Sequence, residues 1–217
     1  MKILVAGATG QTGRRIVTEL VEKGMDVRGL VRDEAKAKDI LPESVELVVG
    51  DVLKPSTLKN ALQGCDVVIC ATGATPSLDF TAFYKVDLEG SKNLIDGAKE
   101  AGVNKFIFVT SLCVSKFFHP LNLFGLVLFW KKQAEKYLIN SGLNYTIVRP
   151  GGLKNEDNLY PLVVRGADTL FEGSIPRRKV AQVCVEAISR PETDGKILEI
   201  VAQEDAPSQD WDQLLAV

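Results

Sequence analysis

Three glycines near the amino terminus are spaced for phosphate chemistry. Gly7, Gly10 and Gly13 follow the apolar run KILVA (2–6) and open a helical pattern over 11–23. Gly7 would permit a tight turn, Gly10 would let backbone approach a diphosphate, and Gly13 would let helix and strand pack closely. The N–H groups and positive dipole of the helix N-terminus would then face the phosphates. The pattern therefore predicts a dinucleotide site formed by Gly7, Thr9, Gly10, Gln11, Thr12 and Gly13.

The end of the second predicted strand indicates which dinucleotide is bound. The stretch RGLVRDEAK places Arg32 at the strand end and Arg28 four residues earlier. Guanidinium groups at this place would grip a ribose 2′-phosphate. Asp33 follows at once, and it would either accept a bond from the 2′-hydroxyl of NAD or cap the next helix. We expect NADP(H) in preference to NAD(H).

Further strand ends should face the same crevice. Asp51 and Val52 follow the third strand, where the Asp51 carboxylate could accept from the adenine amino group or cap a turn. Backbone after the sixth strand could contact the nicotinamide amide. The other predicted contacts are small residues that allow close approach of the ribose, and the full set here is Asp51, Val52, Ala71, Thr72, Gly73, Pro150 and Gly151.

The elements that would position these residues alternate along the chain. Continuous Val/Ile/Leu runs separated by amphipathic stretches indicate a parallel sheet covered on both faces. We predict a single doubly wound α/β domain of the Rossmann type over residues 1–217, with a substrate-side segment at about 151–195. The last ten residues, SQDWDQLLAV, would be a closing helix or a loose tail. Predicted strands cover 2–6, 26–32, 45–49, 66–70, 105–110, 144–149 and 196–202, and predicted helices cover 11–23, 80–101, 130–140 and 179–189.

Charge and cysteine content exclude several classes of protein. With 26 basic and 28 acidic residues the net charge is −2, which gives no general attraction to nucleic acid. The four cysteines form no C-x-x-C pair and there is one histidine, so we expect no metal site. Cys70 and Cys113 lie in or after apolar runs and are expected to be buried thiols in a reducing compartment, cytoplasmic or similar to the plastid stroma. The apolar part of the N-terminus is too short for a signal peptide.

The apolar run at 117–130, FFHPLNLFGLVLFW, has several possible uses. It is interrupted by polar residues and falls short of the roughly 20 apolar residues that a spanning helix needs. It could wall a flat apolar ligand, or contact a membrane surface or a protein partner. Burial against the chain's own C-terminal segment or in a dimer interface is the alternative.

Several motifs, in order along most of the chain, resemble one family. They are GATGQTG, GDV at 50–52, Lys85-Val-Asp-x-x-Gly90-x-x-Asn93, VTS at 109–111 and SGLNYTIVRPGGL at 141–153. Together they resemble the atypical short-chain dehydrogenases/reductases of the NmrA-like, NAD(P)-binding group. TSLCVSKFFHP, FWKKQAEKYL and VRPGG are similar to the NADP-binding domains of the sixty-two-kilodalton chloroplast inner-envelope translocon subunit and its cyanobacterial relatives. The resemblance implies NADPH binding but no single reaction, since members include reductases, redox sensors and assembly factors.

The resemblance also implies a catalytic set that is incomplete here. In the wider superfamily a Ser orients the substrate carbonyl, a Tyr donates a proton, and a Lys four residues later lowers the Tyr pKa. Ser111 matches the Ser, but the Tyr position holds Leu128 if Lys132 is the lysine, or Val127 if Lys131 is. Alternatively, Ser111 caps a strand end and the lysines form a solvated helix face. The candidate catalytic residues are Ser111 and Lys132, and the candidate cofactor contacts are Thr110, Ser111, Lys131 and Lys132.

Two functions remain open on this reading. Tyr137 should face away from the site, and nothing in the sequence places Tyr84 near it. A flavin, quinone or tetrapyrrole can still accept hydride, because the proton can come from solvent. The leading prediction is therefore an NADP(H)-dependent reductase of a flat acceptor. The alternative is a non-catalytic, NADPH-responsive sensor or assembly protein, whose partner would be another protein.

Overall fold

A parallel sheet is the centre of the fold. In the computed structural model, which describes residues 1–75, 79, 81–123 and 125–217, ten strands form one sheet in the order β3-β2-β1-β4-β5-β6-β10-β9-β7, with β8 paired to β10. Strands β1 to β6 and β10 are mutually parallel, while β8 and β9 pair antiparallel with β10. The strands are β1 Lys2–Ala6, β2 Asp26–Val31, β3 Glu46–Val49, β4 Val67–Cys70, β5 Lys105–Val109, β6 Tyr145–Pro150, β7 Gly152–Lys154, β8 Leu162–Arg165, β9 Ser174–Pro176 and β10 Lys196–Ala202.

Helices cover both faces of this sheet. Successive residues of β1 point to opposite faces, so Ile3 and Val5 join one buried cluster while Leu4 and Ala6 join the other. Residues of α1, α6 and α7 complete the first cluster, and residues of α3, α4 and α5 complete the second. The helices are α1 Gly13–Glu22, α2 Glu34–Lys38, α3 Pro55–Leu62, α4 Ser91–Glu100, α5 Val127–Ile139, α6 Arg177–Glu186 and α7 Trp211–Leu215, together with a π-helix at Tyr84–Gly90 and 3₁₀ turns at Pro120–Leu123, Ala187–Ser189 and Pro191–Thr193.

The doubly wound α/β fold predicted from the sequence is confirmed, and each predicted strand lies within one residue of an observed one at either end. The predicted 80–101 helix is a π-helix followed by α4, and its first residue, Phe80, lies outside the described residues. Helix α5 begins three residues before the predicted start, and α6 begins two before. The C-terminal stretch is the closing helix α7. Helix α3 and the short strands β7, β8 and β9 were not predicted.

Cys70 and Cys113 are buried free thiols, as expected. Within the part of the chain that the structure describes, no helix has the length and apolar character needed to cross a membrane.

Candidate functional site

A crevice of about 430 Å³ runs along the carboxyl ends of β1, β2, β3 and β4. Ligand sites of open α/β sheets form at this edge, where the strand order reverses. Here the reversal lies between β1 and β4, because β2 and β3 extend to one side of β1 and β4 and β5 to the other. Nine predicted contacts line the crevice, namely Gly7, Thr9, Gly10, Arg32, Asp51, Val52, Ala71, Thr72 and Gly73.

The glycines of the loop after β1 are required by close backbone packing. A Cβ on Gly13 would lie 2.0 Å from the Gly7 carbonyl oxygen, and one on Gly7 would lie 2.8 Å from the Ala71 carbonyl oxygen. Gly7 also has a φ of +81°, and the Gly10 N–H donates to its carbonyl at 2.9 Å. No described side chain caps the first turn of α1, so the positive dipole end of the helix stays open to an anion. The loop fits a dinucleotide diphosphate.

Three charged residues at β2 were predicted near the ribose, and two of them, Arg28 and Asp33, bind other parts of the protein instead. Arg32 is exposed, lines the crevice and forms no ion pair with any described residue. Asp33 is the N-cap of α2 and accepts from the Lys36 N–H at 3.2 Å, so the helix-cap alternative is the observed one. The expectation for Arg28 was wrong. Its guanidinium is buried, pairs with Glu46 at 2.9 Å and donates to the Ala61 carbonyl at 2.8 Å, because β2 points this residue toward α3.

The segment after β3, which includes Asp51 and Val52, is held in place by contacts with the π-helix and α4. Asp51 lines the crevice and its Oδ1 also accepts from the Leu53 N–H at 2.9 Å, so it caps a turn as well. The Asn93 amide donates to the Val52 carbonyl at 2.9 Å. A Cβ on Gly90 would lie 2.7 Å from Val52. These contacts explain the Gly90-x-x-Asn93 spacing noted in the sequence.

A buried ion pair lies next to Gly73, a residue that lines the crevice. The Lys131 Nζ lies 2.6 Å from Asp87 Oδ1, and a Cβ on Gly73 would approach these two atoms at 3.8 and 3.6 Å. Asp87 Oδ2 also accepts from the Ala74 N–H at 3.2 Å. Asp87 was absent from the predicted site, although the Lys85-Val-Asp motif contained it. The pair joins α5 to the π-helix beside Gly73.

Lys131 is therefore the lysine whose ammonium group lies near a crevice-lining residue, Gly73. The Lys132 Nζ lies 3.7 Å from the buried carboxylate of Glu135, and its catalytic and cofactor-contacting role stays a prediction. Four residues before Lys131 stands Val127, which packs on a small apolar cluster and has no proton to donate. Tyr137 lies on α5 and Tyr84 on the π-helix that packs against it. Tyr137 donates to Asp96 at 2.7 Å, away from the crevice, whereas the ring of Tyr84 lies 5.1 Å from that of Trp130.

Thr110 belongs to a buried charge network rather than to the crevice. Its hydroxyl donates to Glu135 Oε1 at 2.7 Å, and Arg149 donates to both oxygens of Glu135 at 2.9 and 2.7 Å. Arg149 also pairs with Glu199 at 3.1 Å and Asp168 at 2.8 Å. Since its hydroxyl is engaged inward, the predicted cofactor contact by the Thr110 side chain is not supported. We call Glu135, Arg149, Glu199 and Asp168 the buried network, in which the first three residues are buried and Asp168 is its half-exposed end.

The buried network orders two loops on the substrate side. Glu199 accepts three backbone N–H bonds from residues 168–170, and Asp168 accepts from the Ser115 hydroxyl at 2.6 Å. Burial alone would lower the pKa of Arg149, but hydrogen bonds and charges from the carboxylates raise it above its usual range. For Asp168, burial acts to raise the pKa, but Ser115 and Arg149 lower it below its ordinary value. The loops at 111–118 and 166–171 are thus tied together through charge.

The ends of β5 and β6 leave few groups free for a nicotinamide. Ser111 is half-buried between Thr110, whose N–H donates to Val148, and Leu112, whose N–H donates to the Pro150 carbonyl. The Gly151 N–H donates to the Ile200 carbonyl at 2.9 Å. The Pro150 carbonyl and the Gly151 N–H are therefore used within the sheet, and the predicted nicotinamide contact through them is not supported.

The apolar run at 117–130 presents aromatic rings to the surface. Edge-to-face contacts link Tyr84, Trp130, Phe129, Phe117 and Phe118 in a row, with ring centroids 4.9 to 5.9 Å apart, and we call these five the aromatic row. Phe118 is 96% exposed and Leu123 84%, whereas Leu128 is buried in an apolar cluster with Val163 and Val201, so part of the run is exposed and part is buried against the C-terminal part of the chain. Phe124 lies outside the described residues.

Comparison with known proteins places this site in a family. A family model described as NAD(P)H-binding matches residues 7–191. An uncharacterised chloroplastic protein of Arabidopsis thaliana is 45% identical over 228 residues, covering 99% of this chain and 81% of the relative. The chloroplastic protein TIC 62 of Arabidopsis thaliana is 38% identical over 240 residues, covering 98% of this chain but 37% of TIC 62. The chain therefore spans well under half the length of that relative.

Reductases and solved structures are among the similar proteins. Sanguinarine reductase of Eschscholzia californica is 35% identical over 242 residues, covering 92% of this chain and 88% of the reductase. A solved structure from Bacillus halodurans, described as a candidate NAD-dependent epimerase/dehydratase, superposes with a TM-score of 0.86 at 30% identity, covering 94% of this chain and 95% of that one. Both agree with the crevice described above.

Proposed function

Since this chain belongs to the NAD(P)H-binding, oxidoreductase-like family, we propose that it is an NADP(H)-dependent reductase of a flat, redox-active acceptor that works without a tyrosine proton donor. The observation that carries the proposal is the Asp87–Lys131 pair. It lies beside Gly73, which lines the dinucleotide crevice, and the neighbouring residue on α5, the half-buried Trp130, belongs to the aromatic row. A cofactor site and a surface for stacking are thus adjacent.

The crevice offers a partner for each part of the nucleotide. The loop from Gly7 to Gly13 would hold the diphosphate, and the unpaired Arg32 guanidinium would hold the 2′-phosphate. Asp51 would accept from the adenine amino group, and the small residues around Gly73 would contact the ribose. When bound, NADPH supplies the hydride.

The chain's own groups then position the reactants. Lys131 is fixed by Asp87 at 2.6 Å, so its ammonium group is held beside Gly73 with its charge balanced. Val127 cannot donate a proton, which favours acceptors that take their proton from solvent, such as a flavin, quinone or tetrapyrrole. The aromatic row offers ring faces and edges on which such a flat molecule can stack. The likeness to sanguinarine reductase supports a reductase, without naming the acceptor.

A second function is favoured by Val127, the aliphatic residue at the tyrosine position. Val127 and the exposure of Phe118 and Leu123, 96% and 84%, suit a non-catalytic NADPH-responsive sensor or assembly protein that binds a protein or a membrane surface through 117–130. Either function fits a reducing compartment, cytoplasmic or similar to the plastid stroma, because the four cysteines are buried free thiols.

The cofactor preference is tested by Arg32→Gln. Loss of charge-assisted bonds to the 2′-phosphate should weaken NADPH binding by about 10- to 100-fold while leaving NADH binding unchanged. Fluorescence titration of both nucleotides measures this, with Arg165→Gln as the control because Arg165 lies outside the crevice. Equal weakening of both nucleotides would reject Arg32 as the 2′-phosphate ligand.

The reaction is tested by NADPH consumption with flavin, quinone and tetrapyrrole acceptors. We expect turnover with at least one of them, and a roughly 10- to 100-fold loss of kcat/KM in Lys131→Met, since a misplaced ribose misaligns the hydride. Lys136→Met is the matched control, an exposed lysine on the same helix. Ser111→Ala reports whether Ser111 contributes. Saturable NADPH binding without turnover would favour the sensor or assembly function.

A further inference from the structure

Three arginines beside the phosphate loop form no ion pair with any acidic residue that the structure describes. Arg14 and Arg15 lie in the first turn of α1, and Arg177 is the first residue of α6. We call them the arginine cluster. Among the described residues none of the three pairs with a carboxylate, whereas other arginines of the chain do, namely Arg28, Arg149, Arg178 and Arg190.

Neutral acceptors hold the arginine cluster together. The Arg14 guanidinium donates to Gln11 Oε1 at 2.6 Å, and Arg15 donates to the Gln11 carbonyl at 2.7 Å. Arg15 also donates to the Asn155 carbonyl at 3.3 Å, and Arg177 donates to Asn155 Oδ1 at 2.9 Å. A continuous chain of contacts therefore joins the phosphate loop to the substrate-side segment, and each bridging group is an uncharged amide.

Two helix N-termini add to the positive potential. Helices α1 and α6 each have ten residues and pack side by side, and Lys23, just after α1, pairs with Glu186 at the end of α6. Both N-termini therefore meet at the arginine cluster, where their dipoles favour an anion. Neither first turn contains an acidic residue.

The cluster is unsatisfied as it stands. The Arg177 Nε is buried without a hydrogen-bond acceptor. Burial, together with the charges of Arg15 and Arg14, lowers the pKa of Arg177. An anion between these groups would remove the repulsion and accept the free N–H.

We propose that the arginine cluster binds an acidic group, carboxylate or phosphate, of the second substrate while the nucleotide occupies its crevice. None of the three arginines lines that crevice, and both Arg177 and Asn155 fall within 151–195, the segment predicted to shape the substrate side. The assignment to the acceptor rests on the proposed reductase function. It restricts the preferred acceptors to flat molecules that carry an acidic substituent.

Inorganic phosphate tests the site without any turnover. The full chain, saturated with NADPH, is titrated with phosphate by calorimetry, and the Arg14→Gln/Arg15→Gln/Arg177→Gln variant should bind at least about 10-fold more weakly. Arg177→Gln alone is the second variant, in case the triple change impairs folding. Arg178→Gln is the control, because its guanidinium pairs with Asp157 and should leave phosphate binding unchanged. Unchanged affinity in the cluster variants, or phosphate that competes with NADPH for the cluster, would overturn the proposal.

A matched pair of acceptors tests the same site in turnover. Biliverdin, which carries two carboxylates, should be reduced with a kcat/KM at least about 10-fold above that of its dimethyl ester, and Arg177→Gln should remove this difference. Equal rates for acid and ester in the parent protein would contradict the proposal. If neither is reduced, the reductase function fails for tetrapyrroles and the phosphate titration alone decides the arginine cluster.

Discussion

The nucleotide side and the substrate side of this molecule are built on different principles. Around the loop after β1 the shape comes from missing side chains, since a Cβ on Gly13 or Gly7 would meet backbone at 2.0 or 2.8 Å. On the substrate side the shape comes from the buried network, where Arg149 meets three carboxylates, and from rings left at the surface. One side is held by backbone contact and the other by charge.

Changes on the nucleotide side should therefore act mainly on ligand binding, and changes in the buried network mainly on folding stability. Backbone packed against backbone cannot adjust to an added atom, so the nucleotide side should lose its ligand when it is altered. The buried network lies away from the crevice and ties α5, β6 and β10 to the loop at 166–170. Its loss should act first on folding and on the substrate-side loops. Three substitutions test this contrast between the two sides.

The largest effect is expected from Arg149→Met. Glu135 and Glu199 are 0% and 1% exposed and would remain in the core without their cation. The free energy of unfolding should fall by about 3–5 kcal/mol, as for other buried pairs that lose one partner. Urea denaturation measures it, with Arg165→Met as the control. NADPH affinity of the variant that remains folded should change little, and a loss below about 1 kcal/mol would show that the network is not a stabilising centre.

A smaller loss of stability, but a larger loss of binding, is expected from Gly13→Ala. Its Cβ would lie 2.0 Å from the Gly7 carbonyl oxygen, so the loop must shift, at roughly 1–3 kcal/mol. NADPH affinity should fall by at least about 10-fold, because the N–H groups lose their alignment. Gly166→Ala is the matched control, since no atom lies within 4 Å of its Cβ. Retained NADPH affinity in Gly13→Ala would remove the distinction between the two sides.

The smallest effect concerns acid pH and Asp168. Its folded pKa is lowered by Ser115 and Arg149 against the opposing effect of burial, so its contribution to stability is present above about pH 4 and lost as pH falls through the folded pKa. The carboxylate is 48% exposed, so solvent weakens the effect. Unfolding free energies between about pH 2 and 5 should depend less on pH in Asp168→Asn than in the parent. In Asp157→Asn the unfolding free energy should depend on pH as it does in the parent protein. An identical pH dependence in all three proteins would show that the contacts of Asp168 with Ser115 and Arg149 do not contribute to stability.

The sheet and the phosphate loop could be predicted because their signals are local. Apolar runs marked seven strands to within a residue, and three glycines in strand-to-helix context marked the loop. The strands β7, β8 and β9 were missed, since strands of three or four residues gain their order from pairing with β10 and with each other. Asp87 was within a quoted motif, but its role depends on a lysine 44 residues away.

By itself the sequence determined the doubly wound fold, the glycine loop and Arg32 at the end of β2, because periodicity and backbone freedom are properties of neighbouring residues. The packing of the elements settled which lysine pairs with Asp87, where Arg28 and Thr110 point, and that Arg177 joins Arg14 and Arg15. Successive helix residues differ by about 100° around the axis, so Lys131 and Lys132 are equivalent until α5 packs against the π-helix. Which of them meets Asp87 is settled by that packing.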